Sequence, residues 1–268
     1  MFGKAAHPIF IKQFVSSSSK RLLSRFRGVL SLGNTSYYIH GDQGFFTRVF
    51  IYNYFRFMCD ADIAARWRIQ CYARNGAIVA ELEGVLKSDE ESVVIDLAQV
   101  KGLDAYGVLR VYVIPDDPNL FIPNPHGNLF FNEYYIPGTS VAIMAHSLHP
   151  PRAGHGPIYI REASGLTVHK GLRPYLFIAS GCSFNRMWHP ACTKVSLTFL
   201  NRDGQEKKIA VPAMKPMACQ KLDLFAMDPE MAGFLGNQPF AIKVIGEQFL
   251  AKPFIFLTDG KTALGEHL

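Results

Sequence analysis

Residues 193–212 read TKVSLTFLNRDGQEKKIAVP, and the fold follows from how this stretch alternates. Val195, Leu197 and Phe199 are separated by polar residues, Asp203-Gly204 interrupts, and Ile209 and Val211 resume the pattern. A period of two marks a strand with one buried face. Asp-Gly accepts the positive φ that a tight turn between twisted strands requires. The stretch therefore predicts a β-hairpin. Residues 66–84, RWRIQCYARNGAIVAELEG, predict the same hairpin again: Trp67, Ile69 and Cys71 alternate with polar neighbours, Asn75-Gly76 turns, and Ile78, Ala80 and Leu82 return. Gly76 and Gly204 stand 128 positions apart.

Working outward, Ile95-Asp96-Leu97 answers Leu222-Asp223-Leu224, and Pro137-Gly138 answers Asp259-Gly260. Arg48 to Ile51 answers Tyr175 to Ile178, and His146 answers His267. Short strands recur over residues 49–57, 92–97, 107–113, 130–136 and 141–145, separated by turn residues, which is the rhythm of an all-β sandwich. The expected fold class is all-β: two tandem antiparallel β-sandwich domains, immunoglobulin-like or jelly-roll-like, made by internal duplication. Residues 36–148 form the first domain and 158–268 the second, joined by the Pro/Gly linker 149–157, HPPRAGHGP. The one helical segment expected in the second domain is 228–234, DPEMAGF. The Pro-rich run 114–128 reads as a loop inserted in the first domain alone, with Phe121 and Ile122 set to meet the second domain or a partner.

Of 268 residues, 49% are hydrophobic and 19% charged, enough apolar material for a sizeable core. The formal net charge of +6 is unevenly placed. Lys4, Lys12, Lys20, Arg21, Arg25 and Arg27 precede the first acid, Asp42. Residues 1–35 thus read as a basic N-terminal arm. Leu22, Leu23, Phe26, Val29 and Leu30 lie at helical spacing within it, behind serines 16–19 suited to capping. Such an arm fits packing on the first sandwich, an anionic surface reached through residues 1–33, or a mitochondrial presequence. A basic tail on otherwise neutral domains argues against nucleic acid. No run is long and apolar enough for a transmembrane helix. Five cysteines without a CxxC spacing fit the cytoplasm or another reducing compartment, peripheral to a membrane if the arm binds one.

Chemistry is thinly signalled. His146, His149 and His155 with Glu162 offer metal-ligand types within a short stretch, the basis of a metal-dependent enzyme reading, although the spacing matches no known signature. Nucleophile elbows and phosphate-binding glycine loops are absent from the sequence. Trp188 with Asn185, Arg186 and His189 forms an aromatic-polar loop of the kind that stacks on a sugar or anchors a protein, and Phe121 is a second exposed-aromatic candidate. The strand pattern resembles immunoglobulin-like and carbohydrate-binding modules. The function expected is a non-catalytic binding or assembly protein with a glycan or protein partner, or a homo-oligomer. A structural subunit with a basic arm is a further alternative, and no cofactor is indicated.

Overall fold

The structure, a computed structural model, describes residues 34–53, 56, 62–116, 130–146, 159–180, 193–215, 217–236, 238–246 and 253–267. Residues 1–33 of the basic arm 1–35, the linker 149–157, most of the Pro-rich run and the Trp188 loop lie outside the described residues, and the arm's last two residues, Asn34 and Thr35, belong to the first strand. The chain is predominantly β. In order it runs β1 (Asn34–Ile39), β2 (Phe46–Tyr52), β3 (Ala65–Tyr72), β4 (Ile78–Leu86), β5 (Ser92–Asp96), β6 (Tyr106–Pro115), β7 (Phe130–Tyr135) and β8 (Ala142–His146). It continues β9 (Tyr159–Leu166), β10 (Arg173–Ala179), β11 (Thr193–Leu200), β12 (Glu206–Met214) and β13 (Cys219–Asp223). Two short helices follow, α1 (Leu224–Met227) and α2 (Met231–Leu235), then β14 (Phe240–Gly246), β15 (Phe254–Thr258) and β16 (Ala263–His267).

These strands make four antiparallel sheets. The first has the order β1-β6-β3-β4, the second β5-β2-β7-β8, the third β12-β11-β14-β9 and the fourth β13-β10-β15-β16. Adding eight to each strand of the first sheet returns the third, read from its other end. The same shift turns the second into the fourth. The register agrees: Arg48 faces both Asp96 and Glu133 across the second sheet, as Tyr175 faces Asp223 and Phe256 across the fourth.

The two quoted hairpins are β3–β4 and β11–β12, and Gly76 (φ 84°) and Gly204 (φ 77°) take the left-handed turn position in each. Asp96 and Asp223 also do one job. Each ends its strand and accepts hydrogen bonds from backbone N–H groups of the next turn: Ala98 N to Asp96 Oδ1 (3.0 Å), and Phe225 N (3.2 Å) and Ala226 N (3.1 Å) to Asp223 Oδ1. The Asp223 cap starts α1, a helix the sequence reading did not anticipate. The expected helix 228–234 begins later, at Met231, because Asp228 and Pro229 form the turn before it. β2 ends at Tyr52, short of the expected strand 49–57. Asn53 is buried there, and its Nδ2 donates to the carbonyls of Ile63 (3.0 Å) and Lys87 (3.4 Å). β6 runs on through Ile114 and Pro115, which were read as loop; they pair with Arg66 and Ala65.

Three apolar clusters hold the sheets. The first, with Trp67, Ile69, Val49, Ile51 and Leu109, lies between the first and second sheets. A second, with Leu197, Phe199, Leu176, Ile178 and Ile242, lies between the third and fourth. The third joins the halves. Tyr37 and Ile39 of β1, Val108 of β6 and Tyr134 of β7 meet Phe177 of β10 and Phe254 and Phe256 of β15. The fourth sheet is therefore covered on both faces, and β10 and β15 are apolar at consecutive positions because neither side meets water. Cys219 N also donates to the Arg74 carbonyl (3.0 Å), and Lys221 pairs with Asp42 while its Nζ sits 3.9 Å from the Tyr175 ring centre.

β1 is an edge strand, yet every residue of it is buried. Side chains of the second sheet close its free edge. Thr47 Oγ1 accepts from Ile39 N–H (2.8 Å) and donates to the Ile39 carbonyl (2.9 Å). Asn132 Nδ2 (2.8 Å) and the Tyr134 hydroxyl (2.9 Å) both donate to the Tyr37 carbonyl. Replacing Thr47 by the isosteric valine strands two buried backbone groups. The expected loss is about 2–6 kcal/mol in urea denaturation, at about 1–3 kcal/mol for each group left unsatisfied.

Candidate functional site

The corresponding edge of the second half is open. β9 stands where β1 stands, but its pairing with β14 shifts register between Phe240 and Ile242, and Gly165 (φ 76°) is the extra residue. A glycine bulge of this kind bends a strand and increases its twist. β1 pairs with β6 without such a shift. The closing side chains are missing as well. By register, Ile255 and Leu257 occupy the positions of Asn132 and Tyr134, and Pro174 that of Thr47. None of the three can bond to an edge backbone through its side chain.

The result is a cleft of about 400 Å³ between β9 and β15–β16. Leu166, Phe240, Ile255, Leu257 and Leu264 form its walls, with Thr167 and His169 at the rim. Leu264 keeps 47% of its surface exposed. Sequence reasoning missed these residues. Gly165 within a strand pattern was the available signal for a bulge, but the missing closure is visible only once β7 and β15 are aligned by register.

A polar cluster marks the outer face of the second sheet. The Arg48 guanidinium lies 3.7 Å from the Tyr135 ring centre, 2.9 Å from Glu133 Oε2 and 3.5 Å from Asp96 Oδ2. The Tyr135 hydroxyl donates to both Asp96 oxygens at 2.8 Å. The hydrogen bond to Glu133 holds Arg48 above its ordinary value, and burial followed by the Asp96 carboxylate raises Tyr135. Every charge here has a partner, so the cluster is a structural ion-pair network and offers no free acid or base.

Of the residues singled out in the sequence, Glu162 lies on β9, exposed, with Oε1 2.6 Å from Lys243 Nζ. His146 ends β8, opposite Phe131, in a different sheet. Phe121, His149, His155, Asn185, Arg186, Trp188 and His189 lie outside the described residues. Among the described residues no three His, Cys, Asp or Glu side chains group closely enough to hold a metal ion. No helix among them is long and apolar enough to cross a membrane.

Cys71 and Cys219 are free and buried, and burial pushes the Cys71 thiol up to about 12 and raises Cys219 further. Since the thiolate is the reactive form, neither should be alkylated by iodoacetamide at pH 8 in the native protein. Both should react fully in guanidinium, as read by peptide mass spectrometry.

No family model matches the chain, and no curated protein matches it. Among solved structures the chain is similar to a protein described as a β-galactosidase from Bacteroides fragilis, at 13% identity over 88% of this chain and 32% of that one, with a TM-score of 0.18. It is similar to a β-glucuronidase from glycoside hydrolase family 2 at 9% identity, 88% and 24% coverage and a TM-score of 0.18. A Bacteroides uniformis β-glucuronidase follows at 12% identity, 88% and 26% coverage and a TM-score of 0.18. The chain spans about a third or less of their lengths, and likenesses at this score carry no argument about what it does.

Proposed function

We propose that this chain is a non-catalytic binding or assembly protein built from two β-sandwich modules, residues 36–148 and 158–268, that arose by internal duplication. The repeated strand order, the matching registers and the paired Asp96 and Asp223 caps support the duplication. The observation that carries the binding role is the cleft between β9 and β15–β16, open in the second module where the first is closed. Its lining favours a protein partner over a glycan. A sugar needs an exposed ring to stack on, whereas the one aromatic carbocycle here, Phe240, is buried, and the side chains beside it are Leu166, Ile255, Leu257 and Leu264, with Thr167 and His169 polar. The free thiols of Cys71 and Cys219 suit a reducing compartment.

Two measurements on the full chain test this reading. The fluorescence of anilinonaphthalene sulfonate, a probe of open apolar clefts, should rise with the native protein and fall several-fold in Leu264→Glu. An array of immobilised oligosaccharides should retain neither protein. Sugar binding that survives Leu264→Glu, or probe fluorescence unaffected by it, would overturn the proposal.

A further inference from the structure

The two halves are joined by an interface parts of whose two sides recur by register elsewhere in the chain. On one side is the outer face of the fourth sheet, carrying Phe177, Phe254 and Phe256. On the other are Tyr37 and Ile39 of β1, Tyr72 of β3 and Val108 of β6, together with Tyr134, Ile143 and Ala145 of β7–β8. Contact there is close: a Cβ on Gly265 would stand 3.4 Å from Ile143 Cγ2, and Tyr134 lies 5.3 Å from Phe254, ring to ring.

By register, the outer face of the second sheet corresponds to that of the fourth. Phe50 stands at the place of Phe177, Phe131 at that of Phe254, Val94 at that of Lys221 and Met144 at that of Gly265, while the paired charges Arg48 and Glu133 stand at those of Tyr175 and Phe256. Among the described residues this face is partly exposed. Val94 is 50% and Met144 58% exposed, and Phe50, Tyr52 and Phe131 are half-buried between them. The cleft of the second half likewise corresponds to the β7–β8 part of the receiving surface in the first. Leu257 stands at the place of Tyr134 and Leu264 at that of Ile143. One copy of this chain thus carries, among its described residues, an outer face and a cleft that answer in position to parts of the two surfaces that bind each other inside it.

We infer that the chain assembles head to tail: the outer face of the second sheet of one copy seats in the β9/β15–β16 cleft of the next, repeating between molecules the contact that joins the halves within one. This rests on the binding role proposed for the cleft and names its occupant as a second copy. Because the two surfaces differ, the contact is heterologous. It propagates as a filament, or closes as a ring where the rotation permits.

Sedimentation velocity on the full chain, from micromolar to hundreds of micromolar, tests the inference. The weight-average mass should grow with concentration beyond a dimer. Met144→Glu spoils the outer face and Leu264→Glu the cleft, so each alone should sediment as a monomer. Mixed in equal amounts they should give a dimer and nothing larger, since one intact face meets one intact cleft. Val94→Lys, at the opposite edge of the sheet, should behave as Met144→Glu does, and unchanged far-UV circular dichroism certifies the fold of all three. A wild-type monomer at every concentration overturns the inference. So does a mixture that stays monomeric while both variants are folded, since that result belongs to a symmetric contact. In either case loss of probe fluorescence in Leu264→Glu would leave the binding role standing.

Discussion

Replacing Phe177 by alanine is expected to cost about 3–5 kcal/mol, the range for removing a buried phenylalanine, and to loosen both halves of the molecule together. Phe177 is fully buried and sits in β10 on the face turned toward the first half. Its ring centre lies 5.7 Å from that of Tyr37, 5.8 Å from Tyr106 and 6.2 Å from Phe254. Alanine would leave a void between two rigid sheets that cannot collapse without parting them. Guanidinium denaturation followed by circular dichroism gives the loss. Hydrogen exchange gives its reach: amides of β1 and β6 should lose protection with those of β10 and β15. Faster exchange confined to β10, β13 and β15 would show that the third cluster does not couple the halves.

Gly107→Ala is expected to be of similar size for the opposite reason, excess volume. A Cβ there would stand 2.1 Å from the Tyr72 carbonyl oxygen and 2.7 Å from Cε1 and the hydroxyl of Tyr38. The first obstacle is backbone of the paired strand β3, and the second is a ring wholly buried in the first cluster. Neither yields without moving β6, so the loss should reach about 3 kcal/mol, the upper part of the range for overpacking. Two comparisons isolate the cause. Gly84→Ala meets the Trp67 ring at 2.5 Å, a side chain with some freedom to turn, so it should cost less and shift the tryptophan emission. Gly102→Ala meets nothing within 4 Å but has φ 83°, so it should cost about 1 kcal/mol from backbone strain alone. Equal losses at 84, 102 and 107 would mean that crowding is not the controlling term.

Local signals were readable because their causes are local. Alternation around Asn75-Gly76 and Asp203-Gly204 locates two hairpins, and Asp96 and Asp223 mark strand ends because a carboxylate two residues before a free N–H caps it. Trp67 and Cys71 reach the core as their alternation requires. What was not legible depends on partners distant in the chain. The runs Tyr175 to Ala179 and Phe254 to Leu257 are apolar at every position because two layers cover them, and nothing nearby in sequence says which layers. α1 hangs on one side-chain cap. The cleft arises from a single glycine bulge and from three missing closers, each ordinary by itself.

The covered fourth sheet also bears on how the chain is made. Tyr37 and Ile39 are synthesised well before the rings that shield them, Phe177, Phe254 and Phe256. At ordinary rates of translation the delay is on the order of tens of seconds. Through that interval the nascent first half presents an aromatic surface to its surroundings, where chaperones and other nascent chains compete for it. Strand pairings this distant in sequence also form slowly. Synonymous codons that slow synthesis after residue 146 should therefore lower the soluble yield, with no change to the finished molecule.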